Sequence, residues 1–318
     1  MSDASVRAWT DYWRTGQGAS CFHGQATERA LNEVWRSFVA DLADGARVID
    51  LAAGNGAAAR ECLAASGALG RQIAIDAVDA AAVQPPGPVP AQLRFHSGVR
   101  LERLPFDEAT FDAAISQFGF EYAEAGPAAL EAARVLRPGG QLRLVIHARD
   151  GGVFRDISAR VERLNQVLAE TGAATLVRTL ARAAAAGDEA ELARAGALLP
   201  AAVETLRRIA PGAPQDDAAM FYASAFLQDW AQRSRYRPED LRRAIDDGWA
   251  NATGVAQRQA DMLRAARSRE DIAELGETLR AAGFDYPTVS GISDAARGDQ
   301  IAWQLDAVRA SGAGNWSG

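Results

Sequence analysis

The chain has 318 residues, 48% of them hydrophobic, which is ample material for one large domain or two smaller ones. Its 34 basic residues are all arginine, so lysine Schiff-base chemistry, a lysine general base and a P-loop lysine are excluded together. A net charge of −7 and a pI near 5.2 argue against a broad nucleic-acid footprint, which needs a basic face.

The amino terminus, Met-Ser-Asp-Ala-Ser-Val-Arg, has no apolar targeting region, and no run of 18 apolar residues appears. Cys21 and Cys62 have no metal-binding or Cys-x-x-Cys spacing, so a reducing cytoplasm is expected, with no membrane partner. Ala8 to Arg14 reads as a helix with Trp9 and Trp13 one turn apart on one face. Leu31, Val34, Trp35, Phe38, Val39 and Leu42 form the apolar stripe of a second helix over 27–43, which Gly45 ends.

The most informative stretch is 48–56, Val-Ile-Asp-Leu-Ala-Ala-Gly-Asn-Gly. A short apolar strand ends in a small-residue turn, and a helix follows from Ala57 to Ser66. That arrangement sets backbone N–H groups and a positive dipole end against a nucleotide-like ligand. The turn needs glycine for close approach or positive φ. Asp50 lies inside the strand, where a carboxylate is costly to bury without a partner, so it is expected to accept from an ammonium group.

This segment resembles motif I of the class I S-adenosylmethionine-dependent methyltransferases, an acid followed by small-x-Gly-x-Gly. Three further segments resemble that family in the expected order. Ile73 to Ala80 is a second strand whose terminal acid, Asp79, follows Gly56 by 23 residues and suits a ribose diol. Leu104-Pro105-Phe106 with Phe111 to Gly119 is similar to the family's fourth-strand region. Ala133 to Gly140, with its Pro-Gly-Gly turn, and the run Leu142 to Ile146 are similar to its helix, turn and fifth strand.

The resemblance implies a Rossmann-like α/β fold of the small-molecule or ubiquinone-biosynthesis type, with a seven-stranded mostly parallel sheet and S-adenosylmethionine as cofactor. It implies that Asp50, Ala52, Ala53, Gly54, Asn55 and Gly56 hold the methionyl end, Asp79 and Ala80 the ribose side, and that Gln117 and Phe118 touch the cofactor. Many relatives place Asp-Ala after a glycine at the adenine site, whereas this chain has Gly98-Val99-Arg100-Leu101-Glu102. Base contacts are then left to backbone groups or Glu102. Gln117-Phe118 also departs from the acidic, Asn or Ser residue followed by Pro-Pro and an aromatic that nucleobase amino-methyltransferases carry.

Beyond the fifth strand the pattern turns helical. Phe154, Ile157, Val161, Leu164 and Leu168 repeat at three and four residues, and Pro200, Pro211 and Pro214 divide the region into short helices. Tyr236-Arg237-Pro238-Glu239-Asp240 is a helix start with proline in the first turn, and the helix should run toward Arg267. Ser268 to Asp271 opens another helix in capping-box fashion, ending at Gly283. Tyr286 to Ile292 and Gln300 to Val308 read as strands that resemble the family's closing antiparallel hairpin.

The expected organisation is therefore a helical cap over 1–44 and a cofactor-binding core over 45–150 and 270–310. An all-helical lid insertion over 151–269 and a disordered tail over 311–318 complete it.

His147 follows Leu144-Val145-Ile146 and should sit at the carboxyl end of the fifth strand, facing the crevice as a general base or serving as a structural hydrogen-bonder. Trp13, His23 and Tyr122 are further acceptor-side candidates, and so are Tyr222, Phe226 and Trp230, which alternatively pack the insertion. The expected activity is methyl transfer to a small-molecule or peptide acceptor, most simply on a hydroxyl or carboxylate oxygen, with no metal. A homodimer is left open. Competing readings are methylation of a peptide or protein terminus, an NAD(P)-binding oxidoreductase, because Gly54-x-Gly56-x-x-Ala59 also fits a dinucleotide fingerprint, and a cofactor-binding partner subunit without turnover.

Overall fold

A computed structural model describes residues 1–14, 25–293 and 298–311. In chain order the elements are α1 (Asp3–Arg14), α2 (Gln25–Ala40), β1 (Arg47–Leu51), α3 (Ala57–Ala68), β2 (Ala74–Asp79), β3 (Leu93–Ser97), β4 (Phe111–Gln117), α4 (Ala125–Val135) and β5 (Leu136–His147). There follow α5 (Gly152–Leu168), α6 (Ala173–Ala186), α7 (Glu189–Ile209), α8 (Ala218–Ala231), α9 (Pro238–Ala265), α10 (Arg269–Ala281), β6 (Phe284–Ser293) and β7 (Gln300–Arg309). The chain divides into two compact units, one of residues 1–154 and 261–318 and the other of residues 155–260.

In the first unit, β1, β2, β4 and the Leu142–Ile146 end of β5 are mostly apolar and buried, as strands covered on both faces of a parallel sheet must be. The seven strands lie in the order β3-β2-β1-β4-β5-β7-β6. β1 pairs in parallel with β2 and β4, while β7 runs antiparallel between β5 and β6. The order reverses between β1 and β4, and an open α/β sheet presents its ligand crevice at the carboxyl ends of such strands.

One core cluster joins Ile49, Leu51, Phe111, Leu142, Leu144 and Ile146 of the sheet to Ala129 and Ala133 of α4 and to Ile272 and Leu279 of α10. Alanine on α4 lets that helix approach the sheet closely. The Ser268 capping box forms as the sequence predicts: Ser268 Oγ accepts from the Asp271 N–H, and Asp271 accepts from the Ser268 N–H.

The second unit has its own interior. Leu164, Val167, Ala174, Val177, Ala181, Phe226, Leu241 and Ile245 form one cluster, and Leu176, Leu180, Ala195 and Ala202 another. Pro200 differs from expectation, because it lies inside α7 rather than ending a helix. Burial of Ala195 and Ala202 on either side of it offsets the one backbone hydrogen bond that proline removes. Pro238 starts α9 as predicted, and α9 stops at Ala265, two residues short of Arg267.

β3 has no counterpart among the sequence expectations. The predicted tail lies outside the described residues except for its first, Ser311. Among the described residues no helix is long and apolar enough to cross a membrane.

Candidate active site

The site begins with the loop after β1. Ala52, Gly54 and Gly56 all have left-handed φ values, 56°, 53° and 83°. The loop is tied on both sides: the Ala53 N–H donates to Val78 O of β2, and Ser116 Oγ of β4 donates to Leu51 O. Phe118, just past β4, also has φ 56°. Non-glycine residues in this region store strain, and such strain concentrates at ligand sites.

These turns border a cleft of about 870 Å3, a volume that includes open solvent. Its lining includes Asp50, Ala52, Ala53, Gly54, Asp79, Ala80, Gln117, Phe118 and Tyr122 from the sheet ends, Val99 to Glu102 after β3, and Trp9 and Trp13 from α1. The segment expected to serve the adenine, Gly98 to Glu102, thus reaches the cavity through Val99 and the residues that follow it. α1 reaches the same wall as the first part of the predicted cap.

Asp50 is 1% exposed, and neither carboxylate oxygen has a hydrogen-bond partner. Burial pushes its pKa up to about 7, with the charge of Asp79 adding to the rise; the Ala59 N–H moderates it from outside hydrogen-bond geometry. Asp79 is pushed up to about 6 by burial, opposed by the N–H groups of Ala81 and Gly54, which donate to its two oxygens at 2.8 Å each. Asp79 thus fixes the glycine loop while facing the cavity. Gln117 is held by Trp35, whose Nε1 donates to Gln117 Oε1 at 2.6 Å.

Several sequence candidates stand elsewhere. Asn55 and Gly56 are off the lining. Asn55 is 1% exposed, donating to Trp13 O and accepting from the Gln84 N–H, so it fastens α1 to the loop. Gly56 is required by the Phe95 ring, which a Cβ there would meet at 2.7 Å.

His147 is also off the lining, behind Phe118, whose ring centroid lies 4.3 Å from its own. Both the His147 backbone N–H and its ring Nδ1 lie within hydrogen-bond distance of Glu121 Oε1, at 3.0 and 2.7 Å. His147 thus ends β5 as expected but stands one ring behind the lining instead of on it. Tyr222, Phe226 and Trp230 pack within the second unit, with Phe226 2% exposed and in contact distance of Gly248. They are interior there, as an apolar stripe on a helix most simply becomes. Cys21 and His23 lie outside the described residues.

Sequence reasoning passed over Glu121, which no local pattern marks, because its pairing with His147 spans 26 residues and exists only through the sheet. It placed Trp9 in a helical cap but not among the site residues. The only signal for a ligand role was its position one turn from Trp13.

A glycine loop at the switch point, an acid buried in β1 and a second acid ending β2 thus meet at one cavity of a Rossmann-like sheet. The antiparallel β7 between β5 and β6 separates it from the dinucleotide-binding order 3-2-1-4-5-6. Residues 49–144 match the family model described as a methyltransferase domain. Residues 49–144 are therefore a methyltransferase domain, for which S-adenosylmethionine is the cofactor.

Similar solved structures include 1,6-didemethyltoxoflavin-N1-methyltransferase from Burkholderia thailandensis with bound 1,6-didemethyltoxoflavin and S-adenosylhomocysteine. It is 14% identical over 96% of this chain and 88% of that one, with a TM-score of 0.47. A methyltransferase from Methanosarcina mazei is 12% identical over 86% and 97%, with a TM-score of 0.39. A complex between a methyltransferase activator and a methyltransferase from Haloferax volcanii is 19% identical over 46% of this chain and 62% of that one, under two thirds of its length, with a TM-score of 0.34. No curated protein matches.

Proposed function

We propose that this chain transfers a methyl group from S-adenosylmethionine to an oxygen of a small organic acceptor. When bound, the cofactor supplies a methyl group on a positively charged sulfur that departs as a neutral thioether. Asp50 binds its ammonium group, Asp79 its ribose, and the Trp9–Trp13 wall keeps water from the reacting atoms. Much of the rate then comes from positioning.

The observation that carries the oxygen reading is the Glu121–His147 pair. Glu121 Oε1 accepts from His147 Nδ1, which makes Nε2 the basic nitrogen. His147 is one ring from the cavity, touching Phe118 and facing the edge of Tyr122. In this reading it removes the proton of a hydroxyl acceptor. The same burial behind Phe118 favours a second reading, a carboxylate acceptor on a small acid or a peptide terminus, which needs no base.

Calorimetry tests the cofactor first: S-adenosylhomocysteine is expected to give heat of binding and NAD none. A screen of hydroxylated and carboxylated acceptors with methyl-labelled cofactor then identifies the acceptor class. With a hydroxyl acceptor in hand, His147→Asn should lower kcat by about 10²–10⁴-fold and leave the Kd of S-adenosylhomocysteine unchanged. An unchanged kcat transfers the proposal to the carboxylate reading.

The unit of residues 155–260 is proposed as an acceptor-side lid. Its α6 ends at a left-handed Gly187 with φ 69°, a joint that the strands lack. Amide exchange in α6, α7 and α8 should therefore outpace that in β1, β4 and β5 and slow when cofactor product and acceptor are both present. Protection equal to that of the strands, indifferent to ligands, would remove the lid role.

A further inference from the structure

Two groups of opposite character among the residues lining the cavity stand buried and unpartnered. Trp9 is 8% exposed, and its Nε1 donates to no acceptor. Asp50 is buried with both oxygens unsatisfied. An indole N–H can only donate and a carboxylate can only accept, and leaving either one dry is costly. The space they share is the cavity, which both line.

The Trp9 donor is held rigidly. Its ring stacks on Trp13 at 5.7 Å and meets the edges of Tyr12 and Tyr122 at 5.9 and 5.8 Å. Trp13 in turn lies against Gly54, and its carbonyl accepts from Asn55. The aromatic stack therefore registers α1 on the loop that follows Asp50. Arg100, the guanidinium on the described lining, is already engaged by the Met1 carbonyl at 3.2 Å and faces the Asp3 carboxylate at 3.6 Å.

We infer that Trp9 Nε1–H is the hydrogen-bond donor for the carboxylate of the cofactor's methionyl end, opposite Asp50, which takes the ammonium group. The inference rests on S-adenosylmethionine being the ligand. One zwitterionic amino-acid terminus satisfies both orphaned groups at once, whereas the adenosine part has neither charge. α1, which lies outside the loop motif, thereby becomes part of the cofactor site and reads the end of the ligand that the motif alone leaves half bound.

The test is a cycle between protein and ligand, measured by calorimetry. Trp9→Phe keeps the ring and removes the N–H; S-adenosylmethionine and its decarboxylated analogue keep or remove the carboxylate. The substitution is expected to weaken S-adenosylmethionine and S-adenosylhomocysteine about tenfold or more, and decarboxylated S-adenosylmethionine less than twofold. Benzothienylalanine at position 9, which swaps N–H for sulfur at constant shape, should repeat the result and guards against a folding defect in the phenylalanine variant. Equal weakening of all three ligands, or of none, would overturn the assignment. Failure of the unsubstituted protein to bind any of the three would instead refute the cofactor itself.

Discussion

Asp50→Asn is expected to weaken S-adenosylhomocysteine by at least about 100-fold, about 2.7 kcal/mol, while making the ligand-free protein more stable above neutral pH. The carboxylate is buried with no partner for either oxygen, so its charge is tolerated for the sake of a ligand ammonium group. Its pKa rises from 3.8 unfolded to about 7 folded. The folded state therefore holds a proton that the unfolded state has already released between those values. Unfolding free energy then falls as pH climbs from about 4 to about 7, by on the order of 4 kcal/mol, and levels off above.

Asp79, raised to about 6, adds to the decline in the lower part of that window. The asparagine variant lacks the Asp50 contribution, so its stability curve should lie above that of the unsubstituted protein at pH 8 and converge with it near pH 4. Denaturant unfolding followed by exchange in β1 and β2 reads this unit apart from the other, since two-state treatment of the whole chain is not licensed. Parallel curves, or an unchanged Kd, would show that Asp50 is not the ammonium site.

What the sequence made legible follows a physical division. The loop after β1, the acid ending β2 and the Ser268 cap are dictated within a few residues of chain, by glycine conformation, strand hydrophobicity and backbone hydrogen bonding. The structure shows each at its predicted place. β6 and β7 were legible as strands, and their antiparallel pairing came from family resemblance.

The losses are of another kind. β3 is five residues long, with Leu93 the one buried position, too little for a periodic signal. Pro200 obeys local chemistry that packing of α7 overrides. His147 was located correctly along β5, yet its depth behind Phe118 and its bond to Glu121 depend on how β4 and β5 lie together. Asn55 has the same history: its motif position implied the ligand, and its side chain turned to Trp13, 42 residues away. Chemistry held within one turn or strand could be read in advance; chemistry assembled across strands could not.

Gly54→Ala should be strongly disruptive, because it joins a left-handed backbone to a ring clash. The residue has φ +53°, and a Cβ there would lie 2.4 Å from Trp13 Cζ2 and 2.7 Å from Cη2. Left-handed backbone costs a non-glycine residue about 1–2 kcal/mol, and overpacking adds about 1–3 kcal/mol. The ring cannot swing aside cheaply, because Trp9 stacks on it and Asn55 holds its carbonyl.

The strain should therefore be relieved by displacement of α1 or of the loop. Either movement opens the cavity wall and disturbs the Gly54 N–H to Asp79 bond. Expected readouts are a loss of stability of about 2–5 kcal/mol, a red-shifted tryptophan emission and loss of measurable S-adenosylhomocysteine binding. Gly45→Ala is the control: its φ is +80° and nothing lies within 4 Å of the added Cβ, so only the backbone cost of about 1–2 kcal/mol applies. Pairing Gly54→Ala with Trp13→Ala removes the clash and should recover stability relative to the sum of the single substitutions, a coupling that a double-mutant cycle measures. If Gly54→Ala costs no more than Gly45→Ala, or the cycle shows no coupling, α1 does not press on the loop and its aromatic wall is not set by Gly54.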